Sequence, residues 1–560
     1  MTAPGEQLPT VTELLLARVD DPNTGLVFED SRWSWAEHVQ ECADRAALLR
    51  SLRRPGPFHV GVLLDNVPEF SFLLGGAALA GAVLVALNTG RRGEALVRDI
   101  ELADCQVVLT DSRYVELLQG LDIDARILDV DSAAWHVIAF RHEQSPLEPV
   151  PVAPHDLLML IFTSGTSGAP KAVRCTHAKI AQPGRMLAER FGLGPADTAY
   201  VAMPMFHSNA IMAGWAVGLA AGARLALRRR FSASGFLDDV RKFDATYADY
   251  VGKPLSYILS TPRHDDDAEN PLRIMFGNEA AAPDVAAFAE RFGCEVIDAY
   301  GSTEGGINLE RPAGTPEGSL GKVGDDVAVL EPDSGQPCLP ARFDEDGRLL
   351  NPDEAIGELV RTSGPGQFAG YYNDPAADAD RMREGKFWSG DLVYRDENGF
   401  CFFVGRTCEW LRVDGENLGA APIERILLRH PDIAEVAVYA VPDRTVGDQV
   451  MAALVLRGEA SFDPDDFAKF LLAQPDLAAL QVPRFVRLTS RLPRTPTYKV
   501  LKRTLTAQRW RTPDPVWWRE GPRTVYEPLT PSSDPIRLDW GARSVKRWPH
   551  ARQSGDGRFS

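Results

Sequence analysis

The stretch Leu160-Ile161-Phe162-Thr163-Ser164-Gly165-Thr166-Ser167-Gly168-Ala169-Pro170-Lys171 decides how this chain folds and what it handles. Leu157 to Phe162 is an uninterrupted apolar run of strand length. It opens into a loop of small hydroxyl residues and glycines that closes on Pro170-Lys171. Glycines allow backbone N–H groups to turn inward and form a nest for an anion. The hydroxyls of Thr163, Ser164, Thr166 and Ser167 and the Lys171 ammonium can then follow the oxygens of a polyphosphate. The loop is not the P-loop of kinases and GTPases, which needs Gly, four residues, then Gly-Lys-Ser/Thr. Here Gly165, Gly168 and Lys171 are spaced by three.

On either side of this loop, helical and short apolar patterns alternate. Ser34 and Glu37 form a capping-box pattern that predicts a helix running to Leu49. His59–Leu64 and Cys105–Thr110 read as short buried strands, and Phe72–Leu87 as a buried helix followed by a strand. The rhythm continues through Thr198–Met203, Ala223–Leu227 and Glu295–Asp298, the pattern of a sheet covered on both faces. After about Arg406 a second, more compact α/β pattern begins. Ile423–Leu428 and Phe467–Ala473 read as helices, Val436–Val441 and Met451–Leu456 as strands. Beyond Leu505 the chain is rich in Trp, Arg and Pro, and residues 537–560 carry six Lys/Arg against two Asp/Glu. That end reads as a solvated, partly disordered tail.

The bulk properties narrow the partners. The 560 residues are 44% apolar and 25% charged, the profile of an ordinary globular enzyme with several cores. A formal charge of −18 opposes bulk attraction to nucleic acid or anionic lipid, so an anionic substrate needs local positive charge. Seven scattered cysteines without a CxxC pair fit a reducing cytosol better than a disulfide framework. The N-terminus shows no targeting pattern, and Phe72–Leu87 is too short and too rich in glycine to span a bilayer. Peripheral contact with a membrane is left open, as is the oligomeric state.

Further motifs follow the loop in order. They are Tyr300-Gly301-Ser302-Thr303-Glu304, Ser389-Gly390-Asp391, Gly405-Arg406, Gly415-Glu416-Asn417 and Pro493-Arg494-Thr495-Pro496-Thr497-Tyr498-Lys499. Together with TSGTSGAPK they resemble the adenylate-forming superfamily of acyl-CoA synthetases, luciferases and peptide-synthetase adenylation domains, from about Thr10 to Leu505. The Thr-Tyr-Lys form of the last motif, with Gly277-Asn278-Glu279 and Pro283-Asp284, resembles the very-long-chain and fatty-acid-transport-type branch. Within that branch, Tyr300–Gly306 and Asp514-Pro515-Val516-Trp517 are similar to actinobacterial fatty-acid- and steroid-side-chain-CoA ligases.

The resemblance implies an α/β fold with a large N-terminal domain of packed sheet subdomains (residues 1–407), a small mobile C-terminal α/β domain (408–511) and a tail (512–560). It implies ATP and coenzyme A as co-substrates, with Mg2+. Glu304 is a hard oxygen ligand suited to magnesium, and the family makes Thr163 its partner on the metal and Thr303 a phosphate contact. Asp391 would accept the ribose hydroxyls and Arg406 would bind ribose or phosphate. Tyr300 would offer a face to adenine and Asp298 would accept from its amino group. Gly301 belongs to the same motif, and Gly277 and Asn278 supply a small-residue wall. Lys499 would stabilise the charge that develops between carboxylate and α-phosphate. His207 lies where relatives place an aromatic or histidine beside the acyl group. Gly214 and Gly218, in the Gly/Ala-rich run Ile211–Ala223, would either let an apolar tail pack closely and set its length, or serve helix packing alone.

Two positions depart from the family. The hinge slot usually held by Asp is Cys408, with Glu409 next, so the pivot is assigned by position. The late lysine follows Thr-Tyr instead of Ser-Gly. The reaction implied is carboxylate plus MgATP to acyl-AMP and pyrophosphate, then displacement of AMP by the thiol of coenzyme A. Gly415, Glu416 and Asn417 would form the loop on the coenzyme A side. Two other readings stand beside it: a fatty-acyl-AMP ligase that serves a carrier protein, and a membrane fatty-acid transporter.

Overall fold

Two compact units make up the chain in the computed structural model, which describes residues 8–163, 170–312, 314–345, 347, 349–406, 411–413, 416–443, 447–458, 460–495, 500–519 and 525–530. The larger unit holds the described residues up to Asp344, those from Leu349 to Arg406, and the short stretch around Arg494. The smaller holds those from Leu411 to Pro493 and from Leu501 onward, with Glu345 and Gly347.

Three sheets build the larger unit. In the first, His59–Leu63, Val83–Ala86, Cys105–Thr110, Arg126–Asp129 and Leu157–Thr163 run parallel, and Lys171–Thr176 closes one edge antiparallel. Their near-continuous apolar character follows from burial on both faces. Helix Pro68–Ala80 leads into Val83–Ala86, as the Phe72–Leu87 run predicts, and all its residues from Phe70 onward are buried. Helix Trp35–Leu52 starts with the predicted reciprocal cap: Glu37 N–H donates to Ser34 Oγ, and Ser34 N–H to Glu37 Oε2.

The second sheet has the order Glu295–Asp298, Ile274–Asn278, Tyr247–Val251, Thr198–Val201, Arg224–Leu227, Thr24–Phe28, Ser31–Ser34, parallel except for the last strand. One continuous core joins it to the first sheet, with Trp35, Trp215, Tyr200 and Tyr247 fully buried. The third sheet is antiparallel: Ser319–Lys322, Phe400–Arg406, Lys386–Arg395, Gly357–Arg361 and Val327–Leu330. Its separate character does not show in the sequence, because only the short helices Pro352–Ala355 and Pro375–Arg381 fall between its strands.

The smaller unit has its own core around Leu411, Ile423, Val438, Leu454, Phe467 and Val486. The long hairpin Ile433–Asp443 with Gly447–Leu456 is flanked by helices Ala420–Leu427 and Pro464–Leu472, matching the predicted elements. The boundary expected at residue 511 is passed. Val516–Trp518 pairs with Phe485–Leu488, Glu527–Pro528 pairs with Val516–Trp518, and Tyr526 is buried with its hydroxyl donating to Pro483 O at 2.6 Å. Aromatic residues that read as tail composition therefore complete this unit's sheet and core. Among the described residues no helix is long and apolar enough to cross a membrane.

Candidate active site

The phosphate-type loop is the connection of a β-hairpin. Thr163 and Lys171 face each other in register across Leu157–Thr163 and Lys171–Thr176, so both ends of the loop are pinned to the sheet. Ser164, Gly165, Thr166, Ser167 and Gly168 lie outside the described residues. Beside the outer strand runs the segment 370–372. Arg174 N–H donates to Gly370 O at 3.0 Å and Tyr372 N–H to Ala172 O at 2.8 Å. This pairing sets the Tyr371 ring 5.1 Å from the Lys171 ammonium.

Tyr371 ties the loop to the second motif. Its hydroxyl donates to Glu304 Oε1 at 2.9 Å and accepts from Arg381 Nε at 3.3 Å. Burial alone would raise the Glu304 carboxyl, but Arg381, the local backbone, the Tyr371 hydroxyl and Arg406 outweigh it and hold it below the usual carboxylate range. From the other side, the buried Lys179 donates from Nζ to Glu304 O at 2.9 Å and to Arg174 O at 3.3 Å. Burial lowers the Lys179 ammonium from its ordinary value. Thr303 Oγ1 lies 2.8 Å from Ser208 Oγ, which links this loop to the segment that begins at His207.

The ribose-type motif sits on the strand Lys386–Arg395, where Asp391 faces Arg406 in register. Asp391 is buried and takes Arg406 Nε at 3.2 Å on one oxygen and the Tyr300 hydroxyl at 2.7 Å on the other. Three residues assigned separately in the sequence thus form one bonded set. Gly390, at φ 77°, makes the turn before Asp391, and a side chain there would run into Arg381. Its N–H donates to the buried Glu358 at 2.6 Å.

The adenine-type wall is built from adjacent strands. Asp298 Oδ2 accepts from the Tyr250 hydroxyl at 2.8 Å and from Ala280 N–H at 2.8 Å. Burial is the largest influence on its carboxyl and carries it to about 6 despite those two donors. Gly277 is explained by the close approach of Tyr250, which fills the space a side chain would occupy. Asn278 Nδ2 donates to Gly301 O at 3.3 Å, and Glu279 takes φ 68° in the turn that follows.

The segment after His207 is a π-helix, Ala210–Trp215, continued as α-helix Ala216–Ala221. His207 packs against Phe206, with ring centroids 4.7 Å apart. Gly214 abuts Asp249 and Val201, whereas Gly218 turns to Leu225 and Ala199. Gly218 therefore serves contact between helix and sheet, not a tail wall. Lys499, Cys408, Glu409 and Gly415 lie outside the described residues. Glu416 and Asn417 pair through their backbones with Val413 and Arg412.

Tyr371, Arg381, Lys179 and Tyr250 are parts of the site that carry no motif. Their role is visible only once the 370–372 segment is paired with the hairpin and the second sheet is assembled.

This arrangement gathers the lysine that ends the Gly/Ser/Thr loop, an ionised carboxylate near it, and an Asp–Arg–Tyr set centred on the buried Asp391. Comparison with known proteins agrees with that chemistry. Residues 17–372 match the AMP-binding enzyme family and 422–499 the AMP-binding enzyme C-terminal domain. The chain is 53% identical over 510 residues to the medium/long-chain-fatty-acid-CoA ligase FadD17 of Mycobacterium marinum, covering 91% of this chain and 98% of that protein. It is 46% identical over 548 residues to the steroid-22-oyl-CoA synthetase of Rhodococcus jostii, covering 97% and 99%. ATP-bound MatB from Rhodopseudomonas palustris has the same fold, with a TM-score of 0.78 at 23% identity over 89% of this chain and 98% of that one. Matched from the anion loop through the C-terminal unit, the chain belongs to the AMP-binding enzyme family, on the branch that holds these mycobacterial and rhodococcal ligases.

Proposed function

We propose that this protein is an ATP-dependent, AMP-forming acyl-CoA ligase for lipid-type carboxylic acids. One observation carries the reading: Glu304, held ionised, shares the Tyr371 hydroxyl with Arg381 and stands with Lys171 at the mouth of the anion loop. A polyphosphate bound there meets positive charge at both ends of its approach. The names of the relatives, a fatty-acid-CoA ligase and a steroid-22-oyl-CoA synthetase, support an acid with a large apolar body.

In the first half-reaction, a carboxylate oxygen attacks the α-phosphorus of ATP, the bond to the β-phosphate oxygen breaks, and pyrophosphate leaves. The loop from Thr163 to Lys171 orients the phosphates, and Lys499 stabilises the charge that builds at the α-phosphate. The donor set fits a hard cation, since Glu304 offers an ionised carboxylate and Thr163 a hydroxyl. These two would hold the magnesium ion, whose contribution is to neutralise phosphate charge. Asp391 and Arg406 engage the ribose side, and Tyr300, Gly301, Asp298, Gly277 and Asn278 the adenine side. In the second half-reaction, the smaller unit turns about Cys408–Glu409, withdraws Lys499 and brings the loop Gly415–Asn417 toward coenzyme A. The thiol attacks the acyl carbon and AMP departs. We place the enzyme in the cytosol, meeting lipid acids from the aqueous side.

The test is AMP release from the purified protein over a panel of fatty, aromatic and steroid acids, with and without coenzyme A. Release that requires both a lipid acid and coenzyme A is expected. Adenylate that forms and is turned over only by a carrier protein would overturn the choice of acceptor.

A further inference from the structure

The strand Tyr247–Val251 carries a carboxyl group that the reaction above does not use. Asp249 is 3% exposed, and among the described residues neither of its oxygens finds a hydrogen-bond partner. The sheet fixes its direction. Asp249 stands beside Phe276 in register, with Tyr247 two residues earlier on the same face. Tyr247 donates to Ala213 O at 2.6 Å, so this face lies against the π-helix Ala210–Trp215. A side chain at Gly214 would come within 2.8 Å of Asp249 Oδ1 and 3.2 Å of Val201 Cγ2.

Two other buried oxygens, on elements next to this strand, have no partner among the described residues. Asn209 Oδ1 is one, its Nδ2 being spent on Tyr250 O at 3.0 Å. Asn278 Oδ1 is the other, on the strand paired with Tyr247–Val251 and two residues beyond Phe276. Leaving such groups unsatisfied is costly, because each gives up its hydrogen bonds to water without replacement. Single π-helical turns within α-helices are also frequent at functional sites. The segment before the π-helix starts at the reaction centre, because Ser208 touches Thr303. Gly214 lies six residues along the helix from Ser208. An acid anchored by its carboxylate near Thr303 would therefore bring only the far part of a long or ring-bearing tail to Asp249.

We propose that Asp249 reads an oxygen on the tail of the acid: the preferred substrate has an apolar body bearing a hydroxyl or oxo group that hydrogen-bonds the Asp249 carboxyl. This rests on the acyl-CoA ligase reading and narrows its substrate class. Burial pushes the Asp249 carboxyl well above the usual carboxylate range, which favours its protonated form. It then offers one O–H donor and one carbonyl acceptor, which suit a hydroxyl in either sense and an oxo group as acceptor.

The experiment uses pairs of acids that differ by one tail oxygen: stearic acid against its positional hydroxy and oxo derivatives, and ring-bearing acids with and without a ring hydroxyl. AMP release with coenzyme A gives the kcat/KM ratio within each pair, for wild type, Asp249→Asn, Asp249→Leu and Gly214→Ala. Wild type should favour the oxygenated member by about tenfold or more when the oxygen lies toward the far end of the tail. Asp249→Asn should keep part of that preference and Asp249→Leu should abolish it. Gly214→Ala, which sets a methyl against Oδ1, should reduce it even if the leucine variant fails to fold. Ratios near one for wild type at every position, or equal ratios in wild type and all folded variants, overturn the proposal alone. Absence of acyl-CoA from every pair overturns the ligase reading and this proposal with it.

Discussion

The Tyr371 hydroxyl donates to Glu304 Oε1 at 2.9 Å while accepting from Arg381 Nε at 3.3 Å, so one phenol orients the carboxylate and connects it to a cation. Nothing in the Tyr300–Glu304 motif announces this partner, which arrives from 67 residues away along the chain.

That relationship gives the first prediction. Tyr371→Phe removes the hydroxyl and leaves the ring that lies 5.1 Å from Lys171 Nζ. Glu304 should lose its fixed orientation, which raises the magnesium concentration for half-maximal pyrophosphate release and lowers kcat about tenfold. Glu304→Gln, which removes the charge itself, should cost more, on the order of 10²–10³. A magnesium titration that is the same for wild type and both variants would rule out a metal role for Glu304.

Asp298 predicts a pH dependence. Its carboxyl sits at about 6, raised chiefly by burial. Above that pH it is a carboxylate able to accept from an adenine amino group, and below it the added proton removes that acceptor. KM for ATP should therefore rise as pH falls through about 6. Asp298→Asn keeps an amide oxygen at all pH values and should flatten the profile. A wild-type KM for ATP that is constant across this window would remove Asp298 from the adenine site.

Much of the fold was legible because local and global signals agree. Ser34 and Glu37 form the cap that their spacing predicts, and Cys105–Thr110 is a strand over its full apolar run. The candidate site could be read as motifs wherever glycines, hydroxyls and a charge sit together in one loop, as at Thr163–Lys171 and Tyr300–Glu304. It was illegible where a residue acts by crossing to another element. Tyr371 and Arg381 reach Glu304 through a pairing with the outer hairpin strand, and Lys179 reads as one more polar residue of an amphipathic helix. Asp249 interrupts an otherwise aromatic and apolar strand, and only the sheet shows that it is buried with its oxygens facing the helix. The antiparallel third sheet escaped for a related reason: its order depends on contacts between strands far apart in sequence.

Lys499→Ala separates the two half-reactions. In the proposed mechanism Lys499 acts in adenylation and is withdrawn for thioester formation. The variant should lose acid-dependent pyrophosphate exchange by about 10²–10³. Supplied with pre-made acyl-adenylate and coenzyme A, it should still form thioester at a rate near that of wild type. Equal collapse of both steps would show that Lys499 serves something other than the displacement at phosphorus.

The last prediction separates packing from substrate length on one helix. A Cβ added at Gly218 would run into the Leu225 side chain, 2.9 Å from its Cγ, so even a methyl group there overpacks the layer between helix and sheet. Gly218→Ala should lower the melting temperature, at a cost of about 1–3 kcal/mol, without changing which acids are preferred. The tail itself is expected to add up to about 0.8 kcal/mol per buried methylene until its wall ends. In wild type, kcat/KM should therefore climb from acetate through octanoate into the long-chain acids, and the slope should be the same in Gly218→Ala. The measurement is kcat/KM over a homologous acid series alongside thermal unfolding for both proteins. A shortened chain-length optimum in Gly218→Ala with an unchanged melting temperature would return this glycine to the acyl wall. A wild-type preference for acetate would overturn the lipid-acid substrate class while leaving adenylate formation intact.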